Sequence, residues 1–538
     1  MPLIGNKTFA SAVTNIGAWG DTDVFPFPIE NHMIHDRRAE VSALLADIAG
    51  NFENYLNLDP IVSYSTLAPV GYTGFRWATQ LDPQWNAYLL SLVIDIAPAV
   101  EAHRIPVTEK HVFSYRYQPN GDGSLFAADG WSAFQKETRE RAEAFRYVVA
   151  VDIADFYSRI YHHRLENALR EVDSGGTHTR HIMAILSKLS RSASYGLPVG
   201  GPAARLLSEL VLDRVDDLLA ANSNTANFCR FADDYRFFVN DMETAYRAIG
   251  FMSEKLLVNE GLSLQKGKTR IMTSSEYLST LDPTDSPEGS AARFLGLHIH
   301  FDPYSPTARD DYIHLKEKLH EFDILSLLRA ELAKGRIHAA LSRRLIRALQ
   351  FMDADTRKQA VVILLDSIDI LAPVIPQVMI AVRNTLDEVS EPEFTEAIHA
   401  RIRHLITTSH YIANIALNLA FMIRVLASHR SVANEQLFIK LFNDNHGFGS
   451  GPAPNIKRDI VLIMARWRAA YWLSDLKNYV AAAEPWVKRA FVIGSYSLGD
   501  EGKHWRDANK QAFRPFDRLV RDWVAAKIQS SASWEVPI

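Results

Sequence analysis

After about residue 310 the strand signals stop, and that change of texture constrains the fold more than any other feature of the chain. From 111 to about 302, short β-rich runs alternate with helical patterns. They are HVFSYRYQ, YVVAVDI, the helix SELVLDRVDDLL, the hairpin-like FCRFADDYRFFV and the strand-like FLGLHIHF. Beyond them, amphipathic stretches of about 15 to 20 residues follow one another, punctuated by Pro373, Pro376, Pro392, Pro454 and Pro485. A helix pair then occupies about 40 residues, the period of HEAT-like solenoids. The pattern predicts an α+β region joined to an all-α helical-repeat domain.

Residues 1–110 mix helical patterning at 38–55 and 84–102 with aromatic, proline-containing loops such as VFPFPIEN, which reads as a packed but irregular N-terminal extension. EVDSGGTHTR and STLDPTDSPEGSA carry the composition of surface loops and read as insertions. The expected division is 1–110, 111–309 and 310–538.

Across 538 residues, 47% hydrophobic composition suffices for several cores. The formal charge of -5 means that any polynucleotide must meet a local basic surface. The single cysteine, Cys229, excludes an internal disulfide framework and a thiolate metal cluster. It fits a reducing compartment, the cytoplasm being the simplest. The opening MPLIGNKTFASAV has no continuous apolar core, and 360–382 is broken by Asp366, Asp369, Pro373 and Pro376, so no leader and no membrane span are expected.

The chemistry sits on carboxylates. YVVAVDIADFY places Asp152 at the end of a Val/Ala run, where a buried strand emerges and holds the group rigidly. FCRFADDYRFFV joins two β-rich arms at Asp233 and Asp234, a hairpin tip dense in oxygen atoms. An Asp-Asp pair in a tight turn is commonplace by itself. The ordered set is not, because the turn GLPVGGP and an amphipathic helix lie between the two carboxylate segments. Two-metal phosphoryl transfer needs two or three carboxylates bridging cations about 3.5–4 Å apart. Mg²⁺ takes hard oxygen ligands and keeps waters, so Asp152, Asp233, Asp234 and the carbonyl of Ile153 suffice without Cys or His. In the helix after the turn, Leu207, Leu210, Val211, Val215 and Leu218 form a core stripe.

VDIADFY, GLPVGGPAARLLSELVLDRVD, FADD, GKTRI and FLGL resemble the successive palm motifs of reverse transcriptases over about residues 111–302. The N-terminal extension, SYRY before the palm and a long helical C-terminus in place of a thumb are most similar to abortive-infection (Abi) reverse transcriptases, the P-two-prophage type among them. The resemblance implies a fingers/palm fold, two Mg²⁺ ions (or Mn²⁺) on Asp152 and Asp233 with Asp234 in support, and dNTP substrates. It puts Tyr157 where an aromatic gate collides with a ribose 2′-OH. It puts Pro198, Gly200 and Gly201 at a turn that approaches the nucleotide, Lys268 beside the triphosphate, Arg116 as a second phosphate partner from the fingers, and Phe294, Leu295 and Gly296 at a primer-grip turn.

Val199 stands where many templated enzymes carry Gln. Together with the Abi-like layout, this implies untemplated, protein-primed synthesis in anti-phage defence, with a single-stranded DNA product attached to the chain and a homo-oligomeric assembly. Tyr55, Tyr64, Tyr72 and Tyr88 are the candidate primers. Two other readings remain: a templated RNA-directed DNA polymerase of retron or intron type, and a non-catalytic helical scaffold. The basic runs at 342–347 and 401–404 are suited to a phosphate backbone.

Overall fold

Helix α5 (Pro83–His103) is apolar on nearly every side, and a helix of that kind must be enclosed. Every residue from Pro83 to Ile94 is buried, with the Asp82 side chain accepting from the Gln84 amide as N-cap. Around it pack α1 (Asn6–Trp19), α3 (Arg38–Gly50), α8 (His162–Val172), α9 (Thr177–Leu189) and α10 (Pro202–Ala221). The computed structural model describes residues 3–20, 22, 24–190, 193–281, 294, 316–319, 321–448, 451–531 and 533–538.

The chain forms two compact units. One unit comprises 1–65, 77–283 and 509–537; the other comprises 66–76, 284–508 and residue 538. The N-terminal extension and the palm are thus one body. The C-terminal helix α24 (Pro515–Ser530) belongs to it as well, because its buried stripe of Phe516, Val520, Trp523 and Val524 lies on the side that meets α2 (Ile29–Asp36) and α3. The Trp523 indole and the Lys527 ammonium both reach the Asp36 carboxylate, at 2.7 and 2.8 Å. A short helix α4 (Phe52–Leu58) follows α3, and then a two-stranded sheet of β1 (Ser63–Val70) and β2 (Gly74–Leu81), turned at Gly71 with φ +64°. That hairpin was not expected; its signal is the β-rich SYSTLAPV and FRWATQL flanking a glycine-bounded turn.

The palm sheet runs in the order β4 (Phe228–Phe231), β5 (Asp234–Val239), β3 (Tyr147–Asp152), β6 (Arg270–Thr273), and every pair is antiparallel. Strand β3 is central and buried from Val148 to Asp152, which accounts for its unbroken apolar run. On one face, Val148, Cys229 and Phe238 pack against Phe134 and Ala142 of α6 (Gly130–Ala144) and Tyr277 of α12 (Ser274–Leu281). Helix α7 (Phe156–Arg159) follows β3, and α11 (Met242–Lys255) packs on β3 and β5. The burial of Cys229 pushes its thiol up to about 12, so it is inert core.

Two sequence expectations need correction here. HVFSYRYQ is not a strand: it makes only isolated bridges, Val112 to Arg230 and Tyr117 to Phe126, because Tyr115 turns left-handed at φ +46°. EVDSGGTHTR is no insertion but a tight connection between α8 and α9, in which Asp173 accepts from the Thr179 amide at 2.8 Å and its hydroxyl at 2.9 Å. STLDPTDSPEGSA beyond Leu281, and FLGLHIHF apart from Phe294, lie outside the described residues.

In the second unit the described elements after residue 320 are all helical. They are α13 (Ile324–Leu332), α14 (Ala339–Ala348), α15 (Ala354–Asp366), α16 (Ile375–Val389), α17 (Pro392–Thr407), α18 (Ala416–Leu426), α19 (Val432–Leu441), α20 (Pro454–Arg466), α21 (Ala470–Lys477), α22 (Pro485–Gly494) and α23 (Gly499–Ala508). Pro392, Pro454 and Pro485 each open a helix, where a missing amide proton costs nothing. Every second helix from α14 to α22 packs on the next, and α15, α17 and α19 lie against α16, α18 and α20 respectively. Among the described residues no helix is long and apolar enough to cross a membrane.

Candidate active site

The register of β3 on β5 sets Asp152 directly opposite Asp234, on one face of the sheet. Asp233 sits in the two-residue turn between β4 and β5, where Phe231 pairs with Asp234. Ala232, the first turn residue, takes φ +53°, and its neighbour does not, the φ signs of a type II′ hairpin. The Ile153 amide donates to the Asp233 carbonyl at 3.2 Å, tying the end of β3 to this turn. The structure therefore brings Asp152, Asp233 and Asp234 together.

Like charges opposite one another across a sheet repel. Burial, then the Asp152 charge, pushes the Asp233 carboxyl up to about 6. Asp234 is also raised, chiefly by burial, against the pull of Arg236, which stands 3.5 Å away. Lys268 neutralises the third member: its Nζ lies 2.8 Å from Asp152 Oδ2, while the side chain stays two-thirds exposed. That contact with Asp152 raises the Lys268 ammonium above its ordinary value. Its backbone is placed by pairing of 263–265 with the end of β3 and the residues that follow: Ala154 donates to Ser263, Gln265 donates to Asp152, and a turn back onto Gln265 presents Lys268.

Hard carboxylate oxygens with crowded charge, one held near 6, are a donor set that a divalent cation would relieve. No three His, Cys, Asp or Glu side chains among the described residues close into a ready cage. Lys268 and Arg236 hold Asp152 and Asp234 instead. The Ile153 carbonyl accepts no hydrogen bond from a described residue and lies beside the three carboxylates in sequence and sheet.

The glycine-proline turn is fastened to the same strand exit. The Leu197 amide donates to the Tyr157 carbonyl at 2.8 Å, and Gly196 donates to Ile160 at 2.8 Å. Pro198 and Val199 follow, Gly200 takes φ +120°, a conformation open to glycine, and Gly201 caps α10. Tyr157 is half-buried and hydrogen-bonded to Tyr115 and Ser208; burial raises its phenol well above the ordinary range. Leu207, Leu210, Val211 and Val215 are core as expected, whereas Leu218 is half-buried and Leu219 takes the interior place.

Arg116 is a correction. It is 7% exposed, and its guanidinium is spent on Glu101 at 2.9 Å and on the carbonyls of Val112 and Ile105, so it is a structural group rather than a phosphate partner. The candidate primers also have other work. Tyr55 bonds Asp47, Tyr88 bonds His181 at 2.8 Å, and burial pushes both phenols to values where they stay protonated. Tyr72 bonds Ile370 and Ile337, and Tyr64 is half-buried in β1. Of the basic runs, Arg401 pairs with Asp366 and Arg403 with Glu396, while Arg343 and Arg347 stay exposed on a groove between α14 and α16. Leu295 and Gly296 lie outside the described residues. Phe294 is buried edge-on to Phe322 at 5.6 Å.

Sequence reasoning missed the polar network behind the turn. Arg230 of β4 pairs with Asp216 at 2.5 Å and Glu209 at 3.0 Å; Arg104 also reaches Glu209; Tyr235 donates to Asp216 at 3.0 Å. All of these side chains are essentially removed from solvent. The available signal was Glu209, Asp213 and Asp216 at intervals of four and three, on one face of a helix whose neighbours are apolar.

Residues 99–299 match the family model described as reverse transcriptase (RNA-dependent DNA polymerase). No curated protein matches the chain in sequence. Solved structures similar to it include telomerase from Candida albicans with a TWJ fragment of telomeric RNA, at 10% identity over 69% of this chain and 69% of that one, TM-score 0.31. Apo telomerase from Candida tropicalis matches at 8% identity over 70% and 74%, TM-score 0.28.

Proposed function

We propose that this chain, which carries a reverse transcriptase domain over residues 99–299 and with it the catalytic module of a nucleotidyltransferase, is a DNA polymerase of the Abi type. The observation that carries the reading is the convergence of Asp152, Asp233 and Asp234 at one end of the β3–β5 ladder, with Lys268 in contact. Asp152, Asp233 and the Ile153 carbonyl would hold two Mg²⁺ ions, with Asp234 in support. When bound, the ions supply activation of the attacking hydroxyl and charge neutralisation at the transferred phosphoryl group.

The chain's own groups do the rest. Lys268 leaves Asp152 for the triphosphate, which its exposed stem allows. The Tyr157 ring, held through its hydroxyl by Tyr115 and Ser208, excludes a ribose 2′-OH and so selects dNTPs. Gly200 and Gly201 let the backbone approach the nucleotide without a Cβ in the way.

Untemplated, protein-primed synthesis in anti-phage defence is supported by Val199 in place of Gln and by a long helical stretch that follows the palm in sequence. The alternating packing from α14 to α22 supports a HEAT-like stack, a surface suited to homo-oligomeric assembly. The product would be single-stranded DNA on the chain itself, in the cytoplasm. The second reading, templated copying of RNA, is favoured by the family model that residues 99–299 match. Incubation with Mg²⁺ and labelled dNTPs, followed by a denaturing protein gel, separates them. Label that migrates with the polypeptide without template supports the Abi reading; label that requires an RNA template and primer supports the other.

A further inference from the structure

Helices α14 and α16 pack on one another and leave a groove between them, to which each presents one stripe of its surface. Arg343, Ile346 and Arg347 form the stripe on α14, and Gln377, Ile380 and Asn384 the stripe on α16, both at the three- and four-residue intervals of a single helix face. The groove holds about 280 Å³, just below the roughly 300–1,000 Å³ of sites that enclose a whole small molecule. It has room for a few side chains of something larger.

Its charge is one-sided. Arg343 and Arg347 are both exposed, and among the described residues no ion pair involves either. Arg357, which also reaches the groove, is spent on Glu388 and on the carbonyls of Met352 and Gln350. No Asp or Glu is among the described residues that line it. The α16 wall is neutral: Ile380 leaves 48% of its surface in water, with Gln377 and Asn384 about one turn away on either side.

Four residues of helix separate the two arginines by about 6 Å, close to the roughly 6.6 Å between alternate residues of an extended chain. Carboxylates at two such positions each meet one guanidinium, and the residue between them points the other way, onto Ile380. The side-chain amides of Gln377 and Asn384 both donate and accept, as a peptide group does, whereas phosphate oxygens only accept. No aromatic ring is among the described lining residues, so a nucleobase finds nothing there to stack on.

We propose that this groove binds an acidic segment of a partner protein in extended form, with carboxylates at alternate positions on Arg343 and Arg347 and an apolar side chain between them on Ile380. Nothing in this binding depends on dNTP turnover.

The test is fluorescence anisotropy of a fluorescein-labelled peptide, two glutamates flanking one leucine between glycine-serine ends, titrated with the full chain. Saturable binding is expected. Arg343→Glu and Arg347→Glu should each weaken it by about tenfold, one charge-assisted contact apiece. Both arginines are exposed, so the melting temperature should hold. Ile380→Ser should weaken binding with no change of charge. The same peptide with glutamine for both glutamates should bind at least about tenfold more weakly, and a single-stranded DNA oligonucleotide should displace the labelled peptide poorly. No binding of the glutamate peptide, equal affinity for the glutamine peptide, or unchanged affinity in any of the three variants would each overturn the proposal. So would a DNA strand that displaces the label at lower concentration than unlabelled peptide does, which would make the groove a phosphate surface.

Discussion

The guanidinium of Arg230 donates from Nη1 to the carbonyl of Ala232 at 3.1 Å, while its other nitrogens are held by Asp216 and Glu209. A buried ion pair thereby grips the left-handed residue that precedes Asp233. Removing one partner of such a network strands the other charges, at a cost of about 3–5 kcal/mol. Arg230→Met is expected to lose that much in denaturant unfolding. Ala232→Gly is expected to stay within about 1 kcal/mol of the native chain, because glycine occupies φ +53° without a Cβ clash and its freer unfolded state offsets the gain. A large loss in Ala232→Gly, or none in Arg230→Met, would show that the turn is held by something else.

Lys268 stands on Asp152 but is two-thirds exposed, so its role is electrostatic rather than structural. Lys268→Ala is expected to leave the thermal transition in place and to raise KM for dNTP by about tenfold, the equivalent of one charge-assisted contact. Steady-state incorporation at varied dNTP concentration reads it; an unchanged KM removes Lys268 from the triphosphate.

Tyr157 is expected to set sugar selectivity. Replacing it by Val removes the ring whose hydroxyl bonds Tyr115 and Ser208 and opens the space that it fills. The ratio of ribonucleotide to deoxynucleotide incorporation should rise about tenfold or more. A ratio that does not move would make Tyr157 a packing residue.

His181 gives the fold an acid-sensitive point. Its ring stacks on Phe52 at 3.8 Å, bonds the Tyr88 hydroxyl, and is pushed down to about 4 by burial, then by Arg180 and His178. The folded value lies below the unfolded one of about 6.5. Its contribution is therefore complete above about pH 6.5, and it is lost as pH falls through 4, on the order of 3 kcal/mol in all. His181→Phe should be less stable at neutral pH yet lose stability less steeply over that window. Equal slopes for the two proteins in urea titrations from pH 7 to 4 would remove His181 as a source.

Local pattern carried the β3 run, the β4–β5 hairpin, the α10 stripe and the helix-opening prolines into the structure, because each is settled by neighbours in sequence. It failed where distant parts decide. Arg116 reads as an exposed fingers arginine, but Glu101 on α5 and two backbone carbonyls claim it. HVFSYRYQ has strand composition, yet a left-handed Tyr115 and the burial of Ser114 on Glu209 break it. The last helix carries the same amphipathic pattern as those before it, and only the partner for Trp523, Asp36, reveals that it belongs with the palm. The clustering of Asp152, Asp233 and Asp234 was legible because β3 and the hairpin each announce themselves; the Arg230 network was hidden because a buried arginine in a strand looks like a surface one until its acids are placed.

The most direct measurement is incorporation of labelled dNTP with Mg²⁺ by the full chain beside Asp152→Asn and Asp233→Asn, with melting temperatures recorded for all three. Incorporation in the native chain, with a loss of at least about a thousandfold in each variant and no fall in melting temperature, is expected if these carboxylates perform the transfer. Incorporation that persists in either variant would contradict the assignment of the site.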